Sequence, residues 1–177
     1  MMSFGMGLIL ANWSKWNIKS IAKEIAIAGI LIFILSNIIS YMRSPELSST
    51  QLPQMEVQLL DGTQYSVKKG KPLVLHFWAT WCPACKLEAP NIEFVSKDYE
   101  VLTVAVGSGN DAKVQSYINK YQYTFKVLND SEGKWAKQFN VEAYPTTFIY
   151  DSKGELRFTE VGYTTIAGLL ARLKLIE

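Results

Sequence analysis

Cysteine and histidine are nearly absent from this chain: two cysteines and a single histidine, His76, in 177 residues. A secreted disulfide scaffold would carry more cysteines at wider spacings, and a structural zinc site would need further ligands beside the close-set Cys82 and Cys85. No metal site built from this chain alone is expected. Charge of one sign is scarce as well. The formal net charge is +2, and no stripe of Lys and Arg stands out, which leaves no electrostatic footprint for a nucleic acid. The length suits one globular domain with some additional material and is short for two.

What the chain does have is one long apolar run near its N-terminus. From Ile25 to Tyr41 (IAIAGILIFILSNIISY) there is no charge, and Ile21 and Ala22 extend the run backwards past Lys23 and Glu24. This lies at the short end of the roughly 17 to 25 residues of a spanning helix. Trp13 and Trp16 precede it at a distance suited to an interfacial belt. Lys15, Lys19 and Lys23 lie on the N-terminal side, whereas Arg43 alone follows closely. The positive-inside pattern therefore makes residues 1–20 a cytoplasmic tail and 21–42 a transmembrane anchor, with the remainder outside. A cleaved signal peptide would have a shorter charged region, and Ser36-Asn37-Ile38 and Ser40-Tyr41-Met42 are poor cleavage sites. No cysteine follows the run to carry a lipid. A buried core helix is disfavoured by the clustered lysines and tryptophans. Residues 43–54, polar with Pro45 and Pro53, read as a linker.

Beyond the linker, Met55 to Leu59 alternates apolar and polar, and Asp61-Gly62 separates it from a short run around Tyr65 and Val67. That is a hairpin pattern. Pro72 to Trp78 is apolar except for His76, as befits a central strand covered on both faces. Cys82 to about Tyr99 is predicted helical with Pro90 inside it, and Val101 to Val106 is a buried strand. Asp111 is expected to cap a helix running to about Tyr121, with Val114, Tyr117, Ile118 and Tyr121 on one face. A short strand at Phe125 to Leu128 and a short helix at Trp135 to Phe139 follow. Thr146 to Tyr150 and Leu156 to Val161 form a second hairpin, and Ile166 to Leu175 an amphipathic helix. Strands alternating with helices indicate an α/β domain with a mixed central sheet and helices on both faces.

Trp81-Cys82-Pro83-Ala84-Cys85 follows the apolar strand and opens a helix. A thiolate there faces unpaired backbone N–H groups and the positive end of the helix dipole, which draws its pKa down from about 8.5. Two intervening residues let the second thiol attack a mixed disulfide formed by the first. Cys82 is then the nucleophile and Cys85, one turn inward, the resolving thiol. A half metal site or a structural disulfide would need features that are missing here.

The segment from Phe77 to Cys85 (FWATWCPAC) resembles the active site of the thioredoxin superfamily. Leu59-Leu60-Asp61-Gly62 before it and Lys86-Leu87-Glu88-Ala89-Pro90 after it are similar to the membrane-anchored TlpA/ResA/DsbE branch. Tyr144-Pro145-Thr146-Thr147 resembles the loop of that fold whose proline is cis and packs against the cysteine pair. The resemblance covers residues 55–177 and implies a thioredoxin-like fold, with Asp111 to Leu128 as the central insertion of that branch. It also implies that Trp81, Pro83, Ala84, Ala143 and Tyr144 contact substrate, the Tyr144 backbone bonding an extended segment by strand addition. Glu88 matches a glutamate near the cysteines of ResA-like proteins. If partly buried, its raised pKa makes it a proton acceptor for Cys85; a solvated helix glutamate is the equal alternative. His76 stands where thioredoxin has a buried aspartate, and it resembles the ScsD-like copper-sensitivity suppressor subgroup. A proton relay or tuner for Cys85 and a satisfied core histidine are both open there.

The resemblance further implies an extracytoplasmic thiol–disulfide oxidoreductase without cofactor, on the periplasmic side of a bacterial inner membrane. Its substrates would be protein thiols and disulfides, such as apocytochrome c or copper- or oxidation-stressed proteins, and its electrons would come from a DsbD-like membrane donor. A net oxidant of the DsbA type remains open, although the large helical insertion of that type is not apparent. A Sco-like copper-binding assembly module would want a wider cysteine spacing and a distal histidine after the motif, and a peroxidase would want Pro-x-x-x-Thr/Ser-x-x-Cys. This chain has neither pattern.

Overall fold

The computed structural model describes residues 18–42, 45, 49–67 and 69–177. Helix α1 (Ile18–Met42) contains the stretch Ile21–Ser40, long and apolar enough to cross a membrane. Its 25 residues make a rod of about 37 Å, against a hydrocarbon core of about 30 Å. Asn37 Nδ2 donates to Phe33 O at 2.7 Å, so this amide finds a partner within the helix, as an apolar surrounding demands. The expected tail ahead of Ile18, with Trp13, Lys15 and Trp16, lies outside the described residues, as do Arg43, Ser44 and linker residues 46–48.

The globular part begins to make hydrogen bonds inside the segment expected as linker. Leu156 N donates to Thr50 O and Leu52 N to Gly154 O, both at 2.8 Å, and Gln51 bridges to Glu155. Strands β1 (Glu56–Gln58) and β2 (Gln64–Ser66) then pair antiparallel. Their turn closes at Gly62, whose φ of +83° favours glycine, while Asp61 Oδ1 accepts from Thr63 N at 2.9 Å.

The main sheet has the order β5-β4-β3-β6-β7. Strand β3 (Leu73–Trp78) is central and buried throughout, as its nearly unbroken apolar run requires. It runs parallel to β4 (Glu100–Val106), which runs parallel to β5 (Lys126–Asp130). On the other side β3 pairs antiparallel with β6 (Thr146–Tyr150), and β6 with β7 (Leu156–Val161). Both strands of the expected second hairpin keep their bounds.

Alternation along β3 divides the core. Val74 and Trp78 share one cluster with α2 (Pro83–Val95), α3 (Asp111–Tyr121) and α5 (Ile166–Lys174). Leu73, Leu75 and Phe77 share the other with α4 (Lys134–Gln138) and the β1–β2 hairpin. Helices cover both faces, as expected. Some boundaries differ. The cap of α3 is Asn110, whose side chain accepts from Lys113 N, so Asp111 is the first helical residue rather than the cap. Helix α2 stops at Val95, where Ser96 Oγ turns back to Glu93 O, and a hydrogen-bonded turn carries the chain to Tyr99. Strand β5 runs two residues past the expected Leu128.

Candidate active site

Strand β3 ends at Trp78, and the next residues turn the chain into α2. Thr80 N donates to Ser108 Oγ at 3.0 Å and Cys82 N to Ala79 O at 3.2 Å, which fixes the turn. Cys82 is the N-cap of α2, with an extended backbone (φ −81°, ψ 119°), and its Sγ accepts from Cys85 N at 3.3 Å. Pro83 occupies the first helical position, where a missing N–H costs nothing. The two thiols are free, and Cys82 keeps 5 % of its surface against 1 % for Cys85. Burial pushes the Cys85 thiol well above its ordinary range, reinforced by the neighbouring Cys82 sulfur and by Glu88 and opposed by a backbone hydrogen bond from Ala79.

The second wall comes from the far end of the sheet. The Tyr144–Pro145 bond is cis, and Pro145 is buried. Cys82 Sγ lies 3.5 Å from Tyr144 O, to which its thiol donates. The Tyr144 ring meets the edge of Trp81 at 5.8 Å between centroids. Trp81 is 59 % exposed, with its indole N–H tied to Gly107 O, whereas Trp78 is buried in the core. Pro83 is exposed and Ala84, Ala143 and Tyr144 half-buried, so the side chains expected to meet substrate share an accessible border around Cys82.

Glu88 resolves one open choice: it is fully buried, not a solvated helix residue. Its Oε1 accepts from Thr164 N at 3.2 Å, and Oε2 has no partner. Burial raises its pKa to about 8, against the opposing Thr164 hydrogen bond and with help from the Glu160 carboxylate. It acts electrostatically on Cys85. A carboxyl that titrates near neutrality can both take and return a proton. His76 is buried on the same face of β3, with Nδ1 at 2.9 Å from Thr147 Oγ1. Burial lowers its pKa to about 3, so the imidazole is neutral over the physiological range.

Several neighbours of the pair escaped the sequence reading. Asn91 donates to Thr164 O at 2.9 Å and to the Tyr163 hydroxyl at 3.2 Å, holding the loop that supplies Thr164 N to Glu88. Its position three residues after Glu88, on the same side of α2, was the available signal. Gly162 donates to Pro145 O at 2.8 Å with φ +97°, which ties that loop to the proline loop. Tyr117 of α3 packs on Trp78 at 5.4 Å, and its pKa is raised to about 12 by burial first, with smaller contributions from neighbouring tyrosines and both cysteines.

The sequence profile of the AhpC/TSA family matches residues 49–159. A thioredoxin-like protein of Haemophilus influenzae is 31 % identical over 164 residues, covering 90 % of this chain and 97 % of its own. The thiol-disulfide oxidoreductase ResA of Oceanobacillus iheyensis is 30 % identical over 152 residues, 80 % of this chain and 79 % of its own. Among solved structures, StoA from Bacillus subtilis superposes with a TM-score of 0.63 at 28 % identity, covering 70 % of this chain and 98 % of that one.

Proposed function

Because the chain belongs to the AhpC/TSA family and carries its thioredoxin-like fold, we propose that it is a thiol–disulfide oxidoreductase that reduces or exchanges disulfides in extracytoplasmic proteins. The observation that carries this reading is the asymmetric pair at the head of α2. Cys82 Sγ sits at the helix N-terminus beside the Tyr144 carbonyl, and Cys85 lies buried one turn inward.

The chemistry is a two-step exchange. The Cys82 thiolate attacks a substrate disulfide, the substrate S–S bond breaks, and the leaving sulfur takes up a proton. Glu88 then accepts the Cys85 proton, and the resulting thiolate attacks Cys82 Sγ, releasing the second substrate sulfur, which also picks up a proton. Two electrons have passed to substrate, and a Cys82–Cys85 disulfide remains. An extended substrate segment lies along Tyr144 and Pro145, flanked by Trp81, Pro83 and Ala84. His76 is a neutral polar member of the core under α2, held by Thr147.

Residues 21–42 anchor the chain in a bacterial inner membrane. The lysines at positions 15, 19 and 23 keep the N-terminus in the cytoplasm, and residues 55–177 lie in the periplasm beyond the linker. A DsbD-like membrane protein re-reduces the cysteine pair from the same side.

Equilibration of the cysteine pair with glutathione tests the direction. A potential near the ~−270 mV of thioredoxin supports the reductant, whereas one near the ~−120 mV of DsbA would replace it with a net oxidant. Protease added to spheroplasts should degrade the domain; protection would reverse the topology.

A further inference from the structure

The face of the sheet beneath α2 carries a polar row in exact register. Thr103 of β4 pairs with His76 of β3, His76 with Thr147 of β6, and Thr147 with Glu160 of β7. Residues in register across neighbouring strands point to the same side. The adjacent row, Val101, Val74, Ile149 and Phe158, is wholly apolar. Three members of the polar row are buried and internally satisfied: Thr103 Oγ1 donates to Lys126 O at 2.9 Å, and His76 Nδ1 meets Thr147 Oγ1. The fourth is the only charge in the row. Glu160 is mostly buried and takes Arg172 Nη2 of α5 at 2.6 Å; Arg172 Nη1 is in turn fixed on Gly168 O at 2.9 Å.

We propose that Glu160, clamped by Arg172, is a positioning residue that adjusts the pH at which Glu88 can accept the Cys85 proton. The proposal rests on the reading of Glu88 as that acceptor. The titratable and charged groups on the elements around Glu88 are few. Cys82 and Cys85 share its helix, neutral His76 lies on the β3 face that α2 covers, Glu160 lies on β7 in a pair with Arg172 of α5, and Tyr163 stands in the loop that gives it Thr164 N. Burial is the main reason Glu88 resists ionisation and the Thr164 N–H on Oε1 opposes it; Oε2 has no hydrogen bond to hold the anion, so nearby charges adjust when it ionises. A carboxylate nearby holds Glu88 in its acid form, and Arg172 trims that effect by neutralising Glu160 in part. Removing either partner therefore leaves the other uncompensated, and the two removals act with opposite sign.

The test uses the full chain in detergent and a nitrobenzoate disulfide as probe. The first thionitrobenzoate released reports attack by Cys82, and the second reports closure by Cys85. In the second phase, Glu160→Gln should move the rising limb of the pH profile down by about one unit, and Arg172→Gln should move it up by about one unit. Glu160→Asp, which keeps the charge, should stay close to the unmodified protein. Shifts of the same sign, or no shift, while Glu88→Gln abolishes the limb would overturn this proposal alone. A limb unchanged in Glu88→Gln would remove the acceptor role of Glu88 and this proposal with it.

Discussion

Leu73, Leu75 and Phe77 leave β3 on one side and Val74, His76 and Trp78 on the other, and the two cores they enter differ in kind. On the first side Phe77, Phe139 and Phe148 pack with centroids 5.3 to 5.8 Å apart, and among the described residues the hydroxyl of Tyr150 is the one buried polar side-chain atom there without a partner. On the second side the apolar contacts of α2, α3 and α5 surround Glu88, His76, Thr103 and Thr147, all buried. A single strand thus separates a core that holds the fold together from one that tolerates polar groups for chemistry. Buried polar groups of this kind are costly unless satisfied; Thr103, His76 and Thr147 have partners and Glu88 Oε2 has none, so the cost of this chemistry falls on Glu88.

Substitutions on the two sides should fail in different ways. Cys82→Ala should abolish disulfide reduction altogether at a modest cost in stability, about 0.5–2 kcal/mol for the lost N-cap hydrogen bond; residual turnover would remove Cys82 as nucleophile. Phe148→Ala, on the apolar side, should cost about 3–5 kcal/mol in denaturant unfolding, with the first-phase rate of the folded protein kept. A loss of rate matching the loss of stability would erase the contrast between the faces.

Glu88→Gln should act through pH. The folded carboxyl titrates near 8 against 4.5 when unfolded, so the folded state holds the extra proton between those values and stability falls as pH rises through that window. The variant should lose this alkaline fall, worth at most about a few kcal/mol, as read by comparing unfolding at about pH 5 and about pH 9. His76 has the opposite sign: neutral in the fold down to about 3 but protonated below 6.5 when unfolded, it makes stability fall as pH drops through that range. His76→Asn should flatten the acid side, and the unmodified protein should be level where the two windows overlap. The smallest effect is expected from Asn91→Ala, about 1–2 kcal/mol, accompanied by a displaced second-phase pH profile because Thr164 N is no longer held on Glu88. A stability change without that displacement would reduce Asn91 to a packing role.

Local signals made much of this legible. The apolar run of β3, the turn chemistry of Asp61-Gly62, the hairpin around Asp151 to Gly154 and the cysteine spacing each depend on neighbours in the chain, and each reappears in place. What stayed open depended on distant partners. The burial of Glu88 follows from a loop that folds over α2 from 76 residues away, and His76 finds Thr147 across 71 residues of chain. Asn91 was missed for the same reason: an amide on a helix face has no meaning until Tyr163 and Thr164 arrive beside it. The α3 cap went to Asn110 rather than Asp111 because two adjacent residues both suit the position, and only the backbone angles choose between them.

The narrow exposure of Cys82 has a consequence for clientele. A sulfur showing 5 % of its surface, with Tyr144 O 3.5 Å away, gives an incoming disulfide little clearance. A bridge locked inside a compact domain brings too much bulk with it, whereas one carried on a slack strand can be threaded in. For the proposed exchange, such a recess would act as a gauge of foldedness, favouring polypeptides that are unfinished or coming apart over those already closed.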